Sequence, residues 1–142
     1  MGLTDRDVAF LEANRTAAMI TVGGDGRPKA ARVAVGLVDG RLWSSGTADR
    51  VRTGRLRRDP RCTLYVHDTS FAFMTLETRV SIVEGPEVPA QSVRLFRILQ
   101  DRPSGPLMWM TGELEEDAFL QTMVEEQRLI YEFDVERVYG LY

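Results

Sequence analysis

The sequence predicts an α+β domain in which antiparallel strands close into a small barrel with helices at its periphery. About six apolar segments have the length and residue types of strands. Tight-turn sequences join the first three of them with no helix between, which favours an antiparallel meander and excludes a parallel βαβ sheet. A length of 142 residues suits one core, so we expect a single domain over residues 1–142.

The first part of the chain predicts one short helix followed by three strands. Thr4 is a typical N-cap with acidic residues after it, which predicts a helix over residues 4–13. The turn sequences GGDGRP and Asp39-Gly40 indicate two hairpins. The strands that they join are expected at residues 17–22, 29–37 and 41–45.

The segment after the third strand predicts a helix without an apolar stripe. Residues 48–59 are good helix formers and end before Pro60. Their two large apolar side chains, Val51 and Leu56, point about 140° apart at 100° per residue. Packing alone therefore gives this helix little stability, which suggests that the helix has a role in ligand binding.

The rest of the chain predicts two more strands, two amphipathic helices and a closing strand. The strands cover residues 62–66 and 71–83, the helices cover 92–102 and 115–127, and the last strand begins near residue 129. Four prolines and the apolar sequence Met108-Trp109-Met110 make the segment 85–112 the expected mobile or partner-facing part.

The composition excludes several classes of function. A lone cysteine, Cys62, cannot form an internal disulfide or a Cys-rich zinc site, and a lone histidine, His67, argues against a catalytic triad or a multi-histidine metal site. No apolar run reaches the roughly 20 residues of a membrane span, and the N-terminus is too acidic for a signal peptide. We therefore expect a soluble cytoplasmic protein without a metal site, whose chemistry comes from a bound cofactor.

Basic charge is concentrated in one block of the sequence. The 18 basic residues are 17 arginines and Lys29, and residues 50–61 alone carry a net charge of +5. Residues 113–142 carry −7, and the whole chain carries −3. Arginine suits bidentate recognition of anions, and the acidic balance of the whole chain argues against a nucleic-acid surface. The pattern favours a local anion site.

The strongest local signal for a site is the sequence from Ser44 to Thr53. A strand ends in hydroxyl residues and a glycine and then enters a helix, whose first N–H groups and positive dipole end favour an anion. Arg50 and Arg52 add charged donors at that end, which suits a phosphate. The alternative is that Ser44, Ser45 and Thr47 only cap a surface helix with solvated arginines.

Two other features are candidates for a ligand site, each with a structural alternative. Arg32 lies in an otherwise apolar strand, where it either contacts a ligand or points outward and pairs with an acid. Phe71 and Phe73 flank a turn, where they either belong to the core or cover a flat ring at a subunit boundary.

Three segments together carry a resemblance to a known family. They are Asp25-Gly26-Arg27-Pro28, the run from Asp49 to Arg61, and Arg137-Val138-Tyr139-Gly140. On these residues the chain resembles the pyridoxamine 5'-phosphate oxidase-like split-barrel family, and within it the small deazaflavin- and FMN-dependent oxidoreductases. The resemblance covers nearly the whole chain and implies a split antiparallel β-barrel that forms a homodimer with two cofactor sites at the interface.

The resemblance also implies roles for individual residues. It assigns Ser45, Arg50, Arg52 and Thr53 to the cofactor phosphate, with Ser44 and Thr47 nearby. It places Arg32 and Val33 beside the ring system and brings Phe71 and Phe73 from the partner subunit. Two departures stand out, because Arg52 replaces a frequent lysine and Thr78 replaces a frequent glycine, which puts close approach of a ring to the backbone at Thr78 in doubt.

The function implied is hydride transfer from reduced coenzyme F-420, an 8-hydroxy-5-deazaflavin, to an unsaturated or conjugated small molecule. The cofactor supplies the chemistry, so no catalytic side chain is assigned. The arginine surplus favours coenzyme F-420 over FMN, since Arg55, Arg57 and Arg58 could steer its polyglutamate tail.

Three alternatives remain open from the sequence. One is an FMN-dependent oxidase or reductase of the same fold. Another is a flavin or tetrapyrrole carrier, with His67 as the one conceivable haem ligand. An RNA-binding barrel is the third, and it is disfavoured because no aromatic side chains lie among the arginines of residues 50–61. We expect no nucleic-acid or membrane partner.

Overall fold

The computed structural model describes residues 2–142 and contains a seven-stranded sheet, a two-stranded hairpin and four helices. In chain order the elements are α1 (Asp5–Ala13), β1 (Thr16–Val22), β2 (Pro28–Ala34), β3 (Gly36–Val38), β4 (Arg41–Thr47), α2 (Val51–Arg58), β5 (Arg61–His67), β6 (Phe73–Val83), α3 (Val88–Leu99), β7 (Leu107–Trp109), β8 (Gly112–Leu114), α4 (Glu116–Glu125) and β9 (Arg128–Leu141).

All pairings in the large sheet are antiparallel, in the order β2-β1-β5-β6-β9-β4-β3. One core cluster contains residues from β1, β2, β4, β5, β6 and β9, so the sheet curls around a shared interior. The predicted α+β antiparallel barrel is therefore confirmed as a curled half-barrel with peripheral helices. Helix α3 covers the outside of β3 and β4, where Trp43, Leu95 and Ile130 form a second cluster.

The strand predicted at residues 29–37 is two strands in the structure. β2 pairs with β1 at one edge of the sheet, whereas β3 pairs with β4 at the other edge. Val35, between them, is fully buried and donates its N–H to the carbonyl of Arg15 at 2.8 Å, outside either pairing. The prediction was wrong here because this break depends on a hydrogen bond to a residue 20 positions away.

The segment 85–112 is mostly packed against the rest of the chain. Phe96, Trp109 and Phe119 form a T-shaped aromatic trio with ring centroids 5.1–5.5 Å apart. Leu107 beside them is fully buried, and the exposed large apolar side chains of the segment are Met108 and Met110 of the hairpin. The segment therefore forms a small third core with α4, which argues against the predicted mobility.

None of the four helices in residues 2–142 has both the length and the apolar character needed to cross a membrane. Helix α2 lacks an apolar stripe, as predicted, since Val51 is 71% exposed and Leu56 is 3% exposed.

Replacing Gly140 by alanine is expected to destabilise the sheet. Gly140 has a φ of +150°, and a Cβ there would overlap the backbone carbonyl of Phe73 on the paired strand. The strained backbone and the overlap are expected to lower the free energy of unfolding by roughly 2 kcal/mol or more, measured by urea denaturation. Gly24→Ala is the control, because a Cβ at Gly24 meets nothing within 4 Å. Equal stability of the two variants would contradict this account.

Candidate functional site

A cleft of about 800 Å³ lies between helix α2 and the segment that joins α4 to β9. Four arginines line it, and they come from both walls: Arg50, Arg52, Arg55 and Arg128. The remaining lining residues include Ala31 of β2, Thr47 at the end of β4 and the acidic residues Glu125 and Glu126. The arginines 50, 52 and 55 that the sequence placed in a basic block therefore do share one concave surface.

The N-terminus of helix α2 has no side-chain cap and could bind an anion. Arg50 is the N-cap in an extended conformation, and no side chain caps the helix. The first turn contains no acidic residue, and the Oδ1 of Asp49 accepts a hydrogen bond from Thr47 Oγ1 at 2.6 Å. Because uncapped N–H groups and the helix dipole both attract negative charge, this end of α2 suits a phosphate or carboxylate.

Three arginines of the cleft lack a counter-ion in the described part of the chain. Arg50, Arg52 and Arg55 have no carboxylate oxygen within 4.0 Å among residues 2–142. Two neighbouring arginines do have carboxylate partners, because Arg57 pairs with Glu84 and Arg61 pairs with Asp59. No direct ion pair therefore neutralises these three arginines, and the Asp49 carboxylate, which also lines the cleft, interacts with Arg50 only at longer range.

Arg52 is the most constrained of the three. Its side chain is half-buried, and its Nε is buried without a hydrogen-bond partner. Burial lowers the pKa of Arg52, and the charges of Arg50 and Arg128 lower it further, while Tyr131 opposes the shift. A buried donor without a partner is uncommon in folded proteins, and an anionic ligand would supply both an acceptor and the missing charge.

Tyr131 supports this wall from inside the barrel, and the sequence reasoning missed it. Its side chain is fully buried, and the guanidinium carbon of Arg52 lies 6.0 Å from its ring centroid. Thr53 Oγ1 donates to the carbonyl of Thr47 at 2.8 Å, so the Tyr131 hydroxyl is the donor in the 2.5 Å bond to Thr53 Oγ1. These bonds fix α2 to the sheet.

The predicted phosphate residues thus separate into two groups. Thr47, Arg50 and Arg52 line the cleft. Thr53 is fully buried and its hydroxyl proton is already donated, so in this structure it holds the helix and offers no hydrogen to a ligand.

The two serines of β4 lie on opposite faces of the strand. Ser44 pairs with Tyr131 and is 1% exposed on the inner face, whereas Ser45 shares the outer face with Thr47. Neither serine lines the cleft, but Ser45 Oγ is buried without a hydrogen-bond partner among the described residues.

A second cavity of about 500 Å³ adjoins the first on the outer face of β1, β2 and β5. Its floor is made of small residues, including Ala18 and Ala30, and its rim carries Arg32, Tyr65 and His67. Ala31 lines both cavities, so they meet at edge strand β2. A flat floor without large side chains suits a planar group.

Arg32 is exposed in this second cavity and has no carboxylate within 4.0 Å among residues 2–142. The alternative that Arg32 pairs with an acid is therefore not observed. Val33 differs from it, because its side chain is 7% exposed and belongs to the barrel core. Only the backbone of Val33 could face a ligand on the outer side.

Phe71 and Phe73 lie on the outer surface and outside both cavities. Phe71 is 92% exposed, so the alternative that it belongs to the core is not observed. Phe73 stacks on Tyr65 with centroids 5.7 Å apart, and Leu141 lies opposite Phe73 in the sheet. With Tyr139 these residues form an exposed aromatic face: Tyr65, Phe71, Phe73, Tyr139 and Leu141.

Tyr131→Phe is expected to lower the free energy of unfolding by about 1 kcal/mol, because the hydroxyl that donates to Thr53 is lost. Tyr65→Phe is the matched control on the exposed aromatic face, where the change should stay within roughly 0.5 kcal/mol. Urea denaturation of both variants measures the difference. A larger loss at position 65 than at 131 would contradict the hydrogen-bond assignment.

Comparison with protein families gives a match over nearly the whole sequence. The family model described as pyridoxamine 5'-phosphate oxidase matches residues 3–142. No curated protein matches the chain.

Solved structures resemble the chain in fold. A conserved hypothetical protein from Mycobacterium tuberculosis is 21% identical with a TM-score of 0.74, covering 98% of this chain and 84% of that one. An F-420 reductase is 19% identical with a TM-score of 0.69, covering 96% and 98%. A heme-binding protein from Mycobacterium smegmatis is 16% identical with a TM-score of 0.66, covering 93% and 50%. At these identities the likeness shows the fold alone.

Proposed function

The chain belongs to the pyridoxamine 5'-phosphate oxidase family, and on that premise we propose that it transfers a hydride from reduced coenzyme F-420 to an unsaturated or conjugated small molecule. The observation that carries the proposal is the cleft in which Arg50, Arg52 and Arg55 lack carboxylate partners beside an uncapped helix. The N–H groups of the helix start and the arginine side chains are donors that would hold the phosphate of a cofactor.

The residues of the two cavities fit a ligand with a charged end and a flat end. Arg50 and Arg52 would hold the phosphate, and the buried Nε of Arg52 would gain an acceptor. The ring would lie toward the alanine floor and Arg32, since Ala31 belongs to both cavities. When bound, the deazaflavin supplies the hydride chemistry. The protein would anchor the phosphate and orient the ring, and we assign no catalytic side chain.

The arginines beyond the phosphate favour coenzyme F-420 over FMN. FMN carries one phosphate, whereas coenzyme F-420 also carries the carboxylates of its tail. Arg55 and Arg58 have no carboxylate within 4.0 Å in residues 2–142 and remain free to attract such a tail. Arg57 is already paired with Glu84, so it contributes less than the sequence suggested.

We further propose a homodimer formed through the exposed aromatic face. A patch that exposes Phe71, Tyr139 and Leu141 is typical of a protein interface. Pairing of two copies there would bring Phe71 and Phe73 of one copy toward the ring cavity of the other. Sedimentation at micromolar concentration should give twice the subunit mass of 16.0 kDa, and Phe71→Asp should shift it toward the monomer. A wild-type protein that sediments as a monomer would contradict this arrangement.

Titration of the purified protein with coenzyme F-420, FMN and a single-stranded oligonucleotide tests the cofactor. We expect low-micromolar binding of coenzyme F-420, weaker binding of FMN and none of the oligonucleotide. Tighter binding of FMN would support the FMN-dependent alternative, and failure to bind either ring cofactor would refute the proposal. Loss of reduced coenzyme F-420 on addition of enones or quinones then separates an enzyme from a carrier.

His67 supports a second candidate, a tetrapyrrole carrier. Its Nδ1 lies 2.7 Å from the carbonyl oxygen of Asp68, which can only accept, so Nδ1 is protonated and Nε2 is left free. Nε2 of a histidine is a common axial ligand of haem iron, and His67 lies at the rim of the alanine-floored cavity. Haem titration followed by absorption spectroscopy tests this candidate. A haem spectrum unchanged by His67→Ala would refute the ligation.

A further inference from the structure

Arg128 lies on the wall of the cleft opposite helix α2. It opens strand β9, where its register partner is Thr47 at the end of β4. Its side chain is 7% exposed, far less than a typical surface arginine, and it lines the cleft. The Nε and Nη2 atoms donate to Glu126 Oε1 at 3.0 and 2.8 Å. Nη1 makes no hydrogen bond within residues 2–142 and is free to bind a ligand.

The position of Arg128 is set by two further residues. Its guanidinium carbon lies 4.9 Å from the ring centroid of Trp109, and Trp109 Nε1 donates to Glu126 Oε2 at 2.9 Å. Trp109 is fixed in turn by Phe96 and Phe119. The guanidinium is therefore pre-organised, and it loses less conformational freedom on binding an anion than a mobile arginine would.

The carboxylate of Glu126 reduces the net positive charge of the wall that carries Arg128. Burial would raise the pKa of its carboxyl, but hydrogen bonds from Trp109 and Arg128 and the positive charges of Arg128 and Arg50 lower the pKa overall. The carboxylate is thus charged at neutral pH and offsets part of the positive charge of Arg128. It also lies within the field of Arg50, so removing its charge should strengthen anion binding in the cleft.

We propose that Arg128 is a fourth anion-binding residue of the cleft, which takes a second negative group of the ligand across from Arg50 and Arg52. The cleft then prefers ligands with two neighbouring anionic groups over a single phosphate. This inference rests on the proposed function for the location of the phosphate. Arg50, Arg52 and Arg55 all lie on the α2 wall, whereas Arg128 lies on the opposite wall. A ligand with two anionic groups can therefore contact both walls, which gives a preference that the α2 wall alone does not supply.

Inorganic phosphate and pyrophosphate are the probes, measured by isothermal titration calorimetry at fixed ionic strength. The wild-type protein should bind pyrophosphate at least tenfold more tightly than phosphate. Arg128→Gln should weaken pyrophosphate binding at least fivefold and phosphate binding clearly less, so that the preference for pyrophosphate falls. Arg128→Lys keeps the charge but loses the planar geometry of the guanidinium, so its affinity for pyrophosphate should lie between those of the wild type and Arg128→Gln.

Glu126→Gln changes both charge and position: it removes the negative charge that opposes the anion, but its single amide oxygen cannot take the place of both carboxylate oxygens, which accept from Arg128 and from Trp109. It should therefore change pyrophosphate binding less than Arg128→Gln does. If Arg128 had only a structural role, Arg128→Gln would weaken binding of phosphate and pyrophosphate alike. Trp109 emission is a second measurement, since pyrophosphate contacting Arg128 should change the fluorescence of the stacked indole. That change should vanish in Trp109→Phe, because the other tryptophan, Trp43, is buried beneath α3. Circular dichroism and urea denaturation confirm that each variant is folded.

The outcomes separate this inference from the proposed function. It is overturned if wild-type protein binds pyrophosphate no more tightly than phosphate, or if Arg128→Gln leaves their ratio unchanged, even when ring cofactors bind. The proposed function fails instead if pyrophosphate binds with the expected preference but neither coenzyme F-420 nor FMN binds.

Discussion

Arg52→Ala is expected to weaken binding of coenzyme F-420 at least tenfold, or about 1.4 kcal/mol, with the fold retained. Arg52 is half-buried beside Arg50, and its buried Nε has no partner within the described residues. Removing it deletes a charged donor that lines the cleft, and inside the protein it removes only the contact of Arg52 with Tyr131. Fluorescence titration of the cofactor measures the change.

Two other variants serve as controls for Arg52→Ala. Arg57→Ala on the same helix removes an exposed arginine that pairs with Glu84 and does not line the cleft, so cofactor affinity should change less than about twofold. Arg52→Lys keeps the charge but not the bidentate geometry, and its affinity should be intermediate. If Arg52→Ala binds as tightly as the wild type, the phosphate is not held on this wall.

Gly46→Ala is expected to cause a large loss of stability, roughly 3 kcal/mol by urea denaturation. An added Cβ would lie 2.5 Å from Cζ and Oη of Tyr131, and that ring is fully buried. The ring cannot move away without breaking its hydrogen bond to Thr53, which holds α2. Cofactor affinity should therefore fall as well, although Gly46 does not line the cleft.

Gly54→Ala is the matched control for Gly46→Ala. Gly54 lies within helix α2, and a Cβ there comes no closer than 4.0 Å to the end of the Arg58 side chain. Alanine at this helical position should stabilise the protein by roughly 0.5–1 kcal/mol. In the Gly46→Ala background, Tyr131→Leu should recover part of the lost stability because the overlap disappears. An unchanged unfolding midpoint for Gly46→Ala would refute the packing argument.

Much of the fold could be predicted because alternation of apolar residues marks strands locally. The break at Val35 could not, because its cause is a hydrogen bond to the distant Arg15 carbonyl within a continuous apolar run. Strands β7 and β8 contain three residues each, which is too short for a periodic signal. The prolines of residues 85–112 favoured a mobile segment, whereas burial of Leu107 and packing of Trp109 hold this hairpin in place.

The candidate site was predictable on the wall where its residues are contiguous in sequence. Arg50, Arg52 and Arg55 fall within six residues, so their charge is visible directly. Arg128, which lines the cleft, and Tyr131, which lies behind the α2 wall, are almost 80 residues away and come near it because β9 pairs with β4. Tyr131 fits the apolar alternation of its strand, and Glu126 is one of nine acidic residues in the segment 113–142. Only the register of β4 against β9 shows that these residues meet.

Helix α2 is attached to the sheet through few contacts: Leu56 is its one deeply buried large apolar residue, and the Thr53 hydroxyl supplies the other attachment. An eight-residue helix is not stable alone in water, so α2 should open locally more often than the strands beneath it. An anion bound at its N-terminus stabilises only the closed form, so amide hydrogen exchange in residues 51–58 should slow when ligand binds. Affinity for the ligand then includes the free energy of ordering this helix.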